Sequence, residues 1–302
     1  MNWIELSVEV PSEFVEPLSQ MFYRYGQGGI ALEEVSTFKP NSRKGRNKLQ
    51  TVSLKTYLPI DSTTQDRLSR LDIAVKLLRH VCSVSELQSR VINENEWQTA
   101  WKEHFHVLRV GKRIVICPSW QRHTPKKSDI VITLDPGMAF GTGHHPTTQM
   151  CLQQLENLIT SKTKVLDVGC GSGILSIAAA KLGAESVFGI EIDSTAHKVA
   201  TQNVEENGVG HIVKTTIGTL PNNQIQPKSY DIVIANITAS VLIEIAPNLI
   251  KAMKLDGKVI ASGILVERKH SVEKKLVSSG VNIDHYVIDG DWVTLIASAC
   301  SH

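Results

Sequence analysis

The stretch V-L-D-V-G-C-G-S-G, Val165–Gly173, decides the fold of this chain. Its first residues are typical of a buried β-strand, and the helical pattern Ile174–Leu182 follows directly after the glycines. Glycine at Gly169, Gly171 and Gly173 lets backbone amides approach a ligand closely, because a Cβ there would block the contact or forbid the φ angle. The order strand, glycine-rich turn, helix therefore predicts a ligand site at the carboxyl end of a strand.

A carboxylate completes this unit further along the chain. Glu191 stands near the end of a second apolar strand, S-V-F-G-I-E-I-D, about 20 residues after the first glycine. A carboxylate in this position can accept hydrogen bonds from both hydroxyls of a ribose. The sequence therefore predicts a nucleoside-binding βαβ unit.

The spacing of the glycines restricts which nucleoside is bound. A dinucleotide-binding turn reads G-x-G-x-x-G and would need glycine where Ile174 stands, which disfavours a nicotinamide dehydrogenase. No Lys-Ser or Lys-Thr pair follows, so the turn is not a triphosphate loop. The observed pattern is D-x-G-x-G-x-G, beginning at Asp167. Together with Glu191, it resembles motifs I and II of the S-adenosylmethionine-dependent methyltransferases.

Composition places the chain among ordinary globular proteins. It has 302 residues, 42% of them hydrophobic, and a formal net charge of +2, so its charge does not demand a nucleic-acid partner. Met1–Val10 lacks the basic and apolar segments of a signal peptide, and no apolar run reaches membrane-spanning length. The five cysteines form no C-x-x-C pair, which predicts neither a disulfide framework nor a metal site. We expect a cytoplasmic protein.

The first 92 residues predict a small domain of their own. The expected strands and helices are Trp3–Val10, helix Glu13–Tyr25, Ile30–Phe38, Thr51–Leu58, helix Gln65–Val81 and Val84–Ile92. The order βαββαβ is that of a ferredoxin-like α+β domain. Its basic segment Lys39–Lys48 has two interpretations. The segment could contact RNA or an acidic partner, or it could be a solvated hairpin loop, and the hairpin loop is favoured.

Residues 93–127 predict a connecting region of helix and strand, followed by the main domain, 128–302. Trp97, Trp101 and Phe105 recur every four residues, so they share one helical face. Docking of this face against the neighbouring domain is favoured over stacking on nucleic-acid bases. His104 and His106 lack further ligands at zinc spacing, so no metal is expected there.

A second glycine-rich segment precedes the decisive stretch. L-D-P-G-M-A-F-G-T-G-H-H-P-T-T, Leu134–Thr148, predicts a flexible loop that leads into a helix starting near Pro146. Such a loop can fold over a bound cofactor and shape the pocket for the methyl acceptor. Phe140, His144 and His145 are its candidate functional side chains.

These segments together resemble one family. The chain is similar to the ribosomal protein L11 methyltransferase (PrmA) family in four motifs. They are the loop D-P-G-M-A-F-G-T-G-H-H-P-T-T, the stretch D-V-G-C-G-S-G-I-L-S-I-A-A-A-K-L-G-A, and the strand ends G-I-E-I-D and A-N-I-T. W-Q-T-A-W-K-E-H-F-H and I-C-P-S-W are similar to it too, so the resemblance covers nearly the whole chain. It implies S-adenosylmethionine contacts at Thr148, Gly169, Glu191 and Asn236. Family members can also carry aspartate at the position of Glu191. The basic segment Lys39–Lys48 has no match in the family pattern.

The resemblance also implies the fold and the partners. It implies a Rossmann-like seven-stranded methyltransferase domain of the α/β class, preceded by the ferredoxin-like domain that recognises the substrate. The implied substrate is ribosomal protein L11, methylated on lysine side-chain and N-terminal amines, with no membrane and no direct nucleic-acid binding required. Asn236 ends the predicted strand Ser229–Ile237, where ligands of open α/β sheets collect. Ile237-Thr238 replaces the two prolines of the Asn-Pro-Pro-Tyr methyltransferases, which argues against adenine methylation.

The chemistry of amine methylation places few demands on side chains. A lysine with a pKa of about 10.4 costs roughly 4 kcal/mol to deprotonate near neutral pH, whereas an α-amino group costs about 1. We therefore expect an apolar pocket in which His145 and Asn236 orient the amine and Phe140 serves as a lid. Two alternatives stay open: a methyltransferase that acts on RNA or another protein, and a ribosome assembly factor that binds the cofactor without catalysis.

Overall fold

The computed structural model describes residues 2–11, 14–25, 27–35, 51–93, 106–135 and 141–300. The chain divides into two compact units, Met1–Phe105 and His106–His302. The region predicted as a connection, 93–127, therefore contributes to both units. The predicted aromatic face at 97–105 and the basic segment at 39–48 lie outside the described residues, so both stay predictions.

The first unit has the predicted order of strands and helices. Its elements are β1 (Asn2–Pro11), α1 (Val15–Tyr25), β2 (Gln27–Val35), β3 (Thr51–Pro59), α2 (Thr64–Arg79) and β4 (Gln88–Asn93). The strands form one antiparallel sheet in the order β2-β3-β1-β4. Leu6, Leu54, Leu18 and Leu71 belong to one buried cluster, which joins the sheet to both helices. This is the ferredoxin-like arrangement, as predicted.

One strand of this unit is shorter than its apolar pattern predicts. β4 begins at Gln88, although the pattern begins at Val84. Val84 is buried in the core, and the Ser85 N–H donates to the carbonyl of Glu9. The chain at Val84 therefore packs as a core segment before the strand begins.

The second unit is built on a seven-stranded sheet. Its elements are β5 (Leu108–Val110), β6 (Ile114–Cys117), β7 (Ile130–Thr133), α3 (Pro146–Leu158), β8 (Lys164–Val168), α4 (Ile174–Lys181), β9 (Ser186–Glu191), α5 (Ser194–Glu206), β10 (Val213–Ile217), β11 (Tyr230–Asn236), α6 (Ala239–Ala252), β12 (Met253–Leu265), α7 (Lys269–Ser278), β13 (Val281–Asp289) and β14 (Trp292–Ala299). The strand order is β10-β9-β8-β11-β12-β14-β13, and β5, β6 and β7 form a separate small sheet. β14 runs in the direction opposite to that of the other six strands of this sheet. The predicted Rossmann-like α/β class is confirmed.

Two hydrophobic clusters cover the two faces of this sheet. One cluster contains residues of α3, α4 and α5, and the other contains residues of α6 and α7. The chain leaves β8 toward β9 and β10 and then crosses back to β11 on the other side of β8, so the strand order reverses between β8 and β11. Ligands of open α/β sheets bind at the carboxyl ends of the strands beside such a reversal. Within the described ranges, no helix is both long and apolar enough to cross a membrane.

Candidate functional site

The glycine turn follows β8 at the point where the strand order reverses. Gly169, Gly171 and Gly173 have φ angles of 73°, 54° and 81°, in the left-handed region that favours glycine. The Gly169 N–H donates to the carbonyl of Ile190 at 2.8 Å, which ties the turn to β9. The predicted strand, turn and helix therefore occur where the sequence places them.

Gly169 is required by packing as well as by conformation. A Cβ at Gly169 would collide with the side chain of Ile237, which follows β11. A Cβ at Gly173 would lie 3.4 Å from Cα and Cβ of Ala200 on α5. The turn is therefore packed closely against the chain that follows Asn236 and against α5.

We expect Gly169→Ala to weaken S-adenosylmethionine binding by at least about 10-fold, because the new methyl group displaces Ile237 and with it the end of β11. Gly208→Ala is the matched control, since Gly208 has a similar φ of 69° and no atom lies within 4 Å of a Cβ there. Both variants carry the strain of a left-handed alanine, about 1–2 kcal/mol. Calorimetric titration of the two variants with cofactor measures the difference, and adding Ile237→Ala to Gly169→Ala should restore part of the affinity. Equal affinities in the two single variants would contradict the packing argument.

Glu191 presents a fixed carboxylate beside the turn. It ends β9 and is 8% exposed. Its Oε2 accepts the Gly171 N–H at 2.9 Å, and its Oε1 accepts the Asp193 N–H at 3.0 Å. A carboxylate offers about four acceptor positions, so each oxygen retains capacity for a hydroxyl donor. The arrangement fits the predicted contact with a ribose.

Asp167 is a buried acid next to this carboxylate. Its Oδ2 accepts the Ser176 hydroxyl at 2.6 Å, whereas its Oδ1 has no hydrogen-bond partner among the described residues. Burial raises the pKa of Asp167 to about 7, the Ser176 hydrogen bond opposes the shift, and the charge of Glu191 adds to it. A cationic ligand near Oδ1 would favour the ionised form of Asp167.

Asn236 supplies a second buried acceptor at the end of β11. Its Nδ2 donates to Oγ1 of Thr148 at 3.3 Å, and its Oδ1 has no partner in the part of the chain that the structure describes. Thr148 is fully buried on α3. Since an unpaired buried carbonyl is costly, Oδ1 of Asn236 is suited to receive a donor from a ligand.

Register brings these acceptors to one face of the sheet. Asp167 pairs with Ile234, two residues before Asn236, and Asn236 pairs with Ser262 of β12. Because side chains alternate along a strand, the face covered by α3 carries Asp167, Asn236 and Ser262. It also carries Glu191, since Asp167 pairs with Gly189, two residues before Glu191. We call these four residues the polar row. The Ser262 hydroxyl donates to the carbonyl of Thr147 at 3.3 Å, which joins the row to the start of α3.

His145 caps the helix that covers the polar row. It is the N-cap of α3, with Pro146 in the first turn, and its Nδ1 lies 2.7 Å from the Thr147 hydroxyl and accepts the Thr147 N–H at 3.4 Å. Its ring meets Trp292 edge to face, with centroids 4.7 Å apart. Burial lowers the pKa of His145 to about 4, so the imidazole is neutral at physiological pH. Nδ1 thus serves the helix, and the amine-orienting role predicted for His145 stays a prediction.

The pKa of His145 should make the stability of the protein depend on pH. His145 stays neutral down to about pH 4 in the folded protein but takes up a proton near pH 6.5 when unfolded. The unfolded state then binds more protons between these values, so the free energy of unfolding falls as the pH is lowered through this range. His145→Asn keeps a good N-cap without a titrating group.

We therefore expect wild type to lose roughly 1–2 kcal/mol more than His145→Asn between pH 7 and pH 5. Urea unfolding at both pH values measures this difference. Asp167 titrates in both proteins, so its contribution of opposite sign cancels in the comparison. An equal loss in the two proteins would show that His145 is protonated in the folded state as readily as in the unfolded one.

Two contacts fix the loop before α3 against the glycine turn. The Ser172 hydroxyl donates to the carbonyl of Gly141 at 2.7 Å. A Cβ at Gly143 would collide with Ile116 of β6 and lie 3.1 Å from Cδ1 of Ile174. Ser172 and Ile116 lie in motifs that the sequence singles out, but their contacts with this loop were not predicted, because they join segments that are far apart in the chain. Phe140, the predicted lid residue, lies outside the described residues.

Exposed apolar side chains lie next to Glu191 at the carboxyl ends of β9 and β10. Ile192 is 70% exposed directly after β9, and Ile217 is 52% exposed at the end of the adjacent β10. A shallow cavity of about 350 Å³ adjoins this edge and is lined by Thr216, Ile217, Pro221, Asn222, Asn223 and Gln224. Single apolar residues after a strand carry no sequence signal, so sequence analysis missed both isoleucines.

The site meets the requirements of one cofactor class. It offers the carboxylate of Glu191 beside the turn, buried oxygens of Asp167 and Asn236 that have no partner among the described residues, and a glycine turn that a Cβ at Gly169 would obstruct. Within the described ranges, no group of three or more His, Cys, Asp or Glu side chains could hold a metal ion. With the strand order of the sheet, these features define an S-adenosylmethionine-dependent methyltransferase.

Comparison with known proteins identifies the family. The family model for ribosomal protein L11 methyltransferase (PrmA) matches residues 2–299, and the chain belongs to this family. It is 37% identical to the ribosomal protein L11 methyltransferase of Chloroflexus aurantiacus over 98% of this chain and 97% of that protein. The corresponding protein of Exiguobacterium sp. is also 37% identical, over 98% and 99%. The solved structure of a ribosomal protein L11 methylase from Lactobacillus delbrueckii subsp. bulgaricus matches with a TM-score of 0.61 at 34% identity, over 65% of this chain and all of that chain.

Proposed function

We propose that this protein transfers methyl groups from S-adenosylmethionine to lysine side-chain and N-terminal amines of ribosomal protein L11 in the cytoplasm. The observation that carries the proposal is the polar row, in which Glu191 is held by the glycine turn while Oδ1 of Asn236 is left without a partner among the described residues. Relatives similar over nearly their whole length carry the name ribosomal protein L11 methyltransferase, which supports L11 as the acceptor.

The cofactor lies, in this proposal, along the carboxyl ends of β9, β8 and β11. Glu191 accepts the ribose hydroxyls, and Ile192 and Ile217 pack against the adenine, since both expose apolar surface beside the carboxylate. The glycine turn lies under the methionine portion, with Thr148 and Asn236 at its far side. When bound, S-adenosylmethionine supplies a methyl group on a sulfonium that is already reactive toward nucleophiles.

The residues of the chain position the amine and favour its neutral form. Oδ1 of Asn236 accepts an N–H of the incoming amine, which leaves the nitrogen lone pair free to attack. His145 is neutral, because burial lowers its pKa to about 4, and burial also lowers the pKa of His144. Burial beside the positive sulfonium disfavours the ammonium and so lowers the pKa of the bound amine, and alignment supplies most of the remaining acceleration.

The ferredoxin-like unit holds the ribosomal protein in this proposal. Residues 1–92 form the substrate-recognition domain, 93–127 connect it, and 128–302 carry the transfer reaction. Support comes from the separate core of the first unit, whose helices and sheet form one buried cluster. Such platforms commonly bind macromolecules, and the second unit already contains the cofactor elements.

The experiment that tests the proposal follows a methyl label from the cofactor to its acceptor. The purified protein is incubated with methyl-labelled S-adenosylmethionine and either L11, ribosomal RNA or both, and the label is located after separation. Label on L11 alone is expected. Label on RNA would overturn the acceptor but keep the enzyme class, and cofactor binding without label on either would favour the assembly-factor alternative.

A further inference from the structure

Strand β12 carries one extra residue beside Asn236. The register of β12 against β14 shifts after Ala261, so that two residues of β12, Ser262 and Gly263, lie opposite Thr294 alone. A β-bulge of this kind re-aims a side chain, and bulges are common next to active sites. This bulge lies near the carboxyl end of β12, where Ser262 pairs with Asn236 of β11.

The bulge holds the backbone that directly follows Asn236. The carbonyl of Ser262 accepts the Ile237 N–H at 3.2 Å. Gly263 has a φ of 79°, and a Cβ there would collide with the backbone of Ile237. The close approach and the hydrogen bond together fix the end of β11 against β12.

The bulge also brings two buried hydroxyl groups together. Oγ of Ser262 and Oγ1 of Thr294 are 2.6 Å apart, and both residues are fully buried. The Ser262 hydroxyl donates to the carbonyl of Thr147 at 3.3 Å. Because a hydroxyl has one proton, Thr294 is then the donor to Ser262. We call Ser262 and Thr294 the hydroxyl pair, and it connects β14 through β12 to the first turn of α3.

The first turn of α3 carries the partner of the Asn236 amide. Thr148 lies in this turn, and its Oγ1 accepts Nδ2 of Asn236 at 3.3 Å. Because the two ends of an amide are fixed together, this bond also sets the direction of Oδ1. β14 supports the same turn a second time, since Trp292, on the same face as Thr294, meets the ring of the N-cap His145. The direction of Oδ1 therefore depends on where β12 and β14 hold the start of α3.

We propose that the hydroxyl pair positions Asn236 for methyl transfer. Ser262 and Thr294 hold the start of α3 at a fixed distance from the end of β11, so that Nδ2 of Asn236 stays bonded to Thr148 and Oδ1 stays directed at the incoming amine. Both are positioning residues, because they act through Asn236. A displacement of about 1 Å at such a site costs on the order of 100-fold in rate. The inference rests on the proposed role of Oδ1 of Asn236 as the acceptor for an N–H of the amine.

Two opposite substitutions at Thr294 separate the hydroxyl from its packing. Thr294→Val keeps the branched shape and loses the hydroxyl, whereas Thr294→Ser keeps the hydroxyl and loses a methyl group. We expect Thr294→Val to lower the single-turnover rate of methyl transfer to L11 about 10-fold and to leave the Kd for S-adenosylmethionine within about threefold. Thr294→Ser should retain the wild-type rate. Ser298→Ala is the control, because it removes a hydroxyl from the other end of β14, where Ser298 donates to Asp284.

Combination with Asn236→Ala tests whether the hydroxyl pair acts through Asn236. In the Asn236→Ala background, neither Thr294→Val nor Ser262→Ala should lower the rate further, because the group that they position is gone. A merely structural role of the hydroxyl pair would lower the rate by the same factor in both backgrounds. Thermal unfolding of each variant confirms that the protein compared is folded.

The results that would overturn the proposal differ from those that would overturn the proposed function. An unchanged rate in Thr294→Val, an equal loss in Thr294→Ser, or an equal further loss in the Asn236→Ala background would each overturn the positioning role. If Asn236→Ala lost rate and Thr294→Val did not, the positioning role alone would fail. If Asn236→Ala itself retained the wild-type rate, the proposed role of Asn236 toward the amine would fail, and the hydroxyl pair would have no group to position.

Discussion

Replacing Glu191 with alanine is expected to raise the Kd for S-adenosylmethionine by about 100-fold or more. The substitution removes the acceptor that we propose for two ribose hydroxyls and leaves the N–H groups of Gly171 and Asp193 without their present partner. Hydrogen bonds to a charged group contribute about 1.5–3 kcal/mol each, so losing two of them accounts for this factor. Calorimetric titration with the cofactor measures the effect directly.

Glu185→Ala provides the control for this prediction. Glu185 precedes the same strand at its opposite end, where it forms an exposed ion pair with Lys164. Exposed pairs of this kind contribute little, so cofactor affinity should not change. If Glu191→Ala and Glu185→Ala bound the cofactor with equal affinity, the ribose site would have to be placed elsewhere.

Replacing Asn236 with alanine is expected to lower kcat by about 100- to 1,000-fold at saturating cofactor. The substitution removes the buried oxygen that we propose as the acceptor for an N–H of the amine, and loss of one preorganised hydrogen-bond partner in an active site has effects of this size. Thr148→Val should cause a smaller loss in the same direction, because Thr148 accepts from Nδ2 of Asn236 and so fixes the orientation of its amide. Single-turnover methyl transfer to L11 separates this step from binding.

Asn282→Ala tests whether any asparagine in the sheet would give the same result. Asn282 is exposed on the edge strand β13, so its replacement should leave kcat unchanged. If Asn236→Ala instead raised only the Kd of the cofactor, and saturating cofactor restored full kcat, Asn236 would be a cofactor contact without a role toward the amine.

Local sequence was sufficient to predict the turn and the two strand ends around which the candidate site is built. The run Val165–Gly173 predicts strand, turn and helix because buried apolar residues, conformationally permissive glycines and an alanine-rich helix follow one another without interruption. Glu191 and Asn236 were predictable because each ends an apolar strand, and the carboxyl ends of parallel strands meet at one edge of the sheet. The ferredoxin-like order was readable from alternation and helical periodicity in the same way.

The rest of the site depends on contacts that no local pattern contains. The neutral state of His145 follows from burial of its ring, which meets Trp292, a residue far along the chain. The raised pKa of Asp167 likewise requires the packed surroundings of the finished sheet. Ser262 and Thr294 are ordinary strand residues in the sequence, and only the fold brings their hydroxyls together.

The most direct test of the account is the mass of L11 after incubation with S-adenosylmethionine and either wild type, Glu185→Ala, Glu191→Ala or Asn236→Ala. Wild type and Glu185→Ala should add methyl groups that peptide mapping locates on lysine side chains and the N-terminal amine. At the same enzyme concentration and time, Glu191→Ala and Asn236→Ala should leave L11 almost unmodified. Full methylation by either of these two variants, or no methylation by wild type, would contradict the assignment of the polar row as the methyl-transfer site.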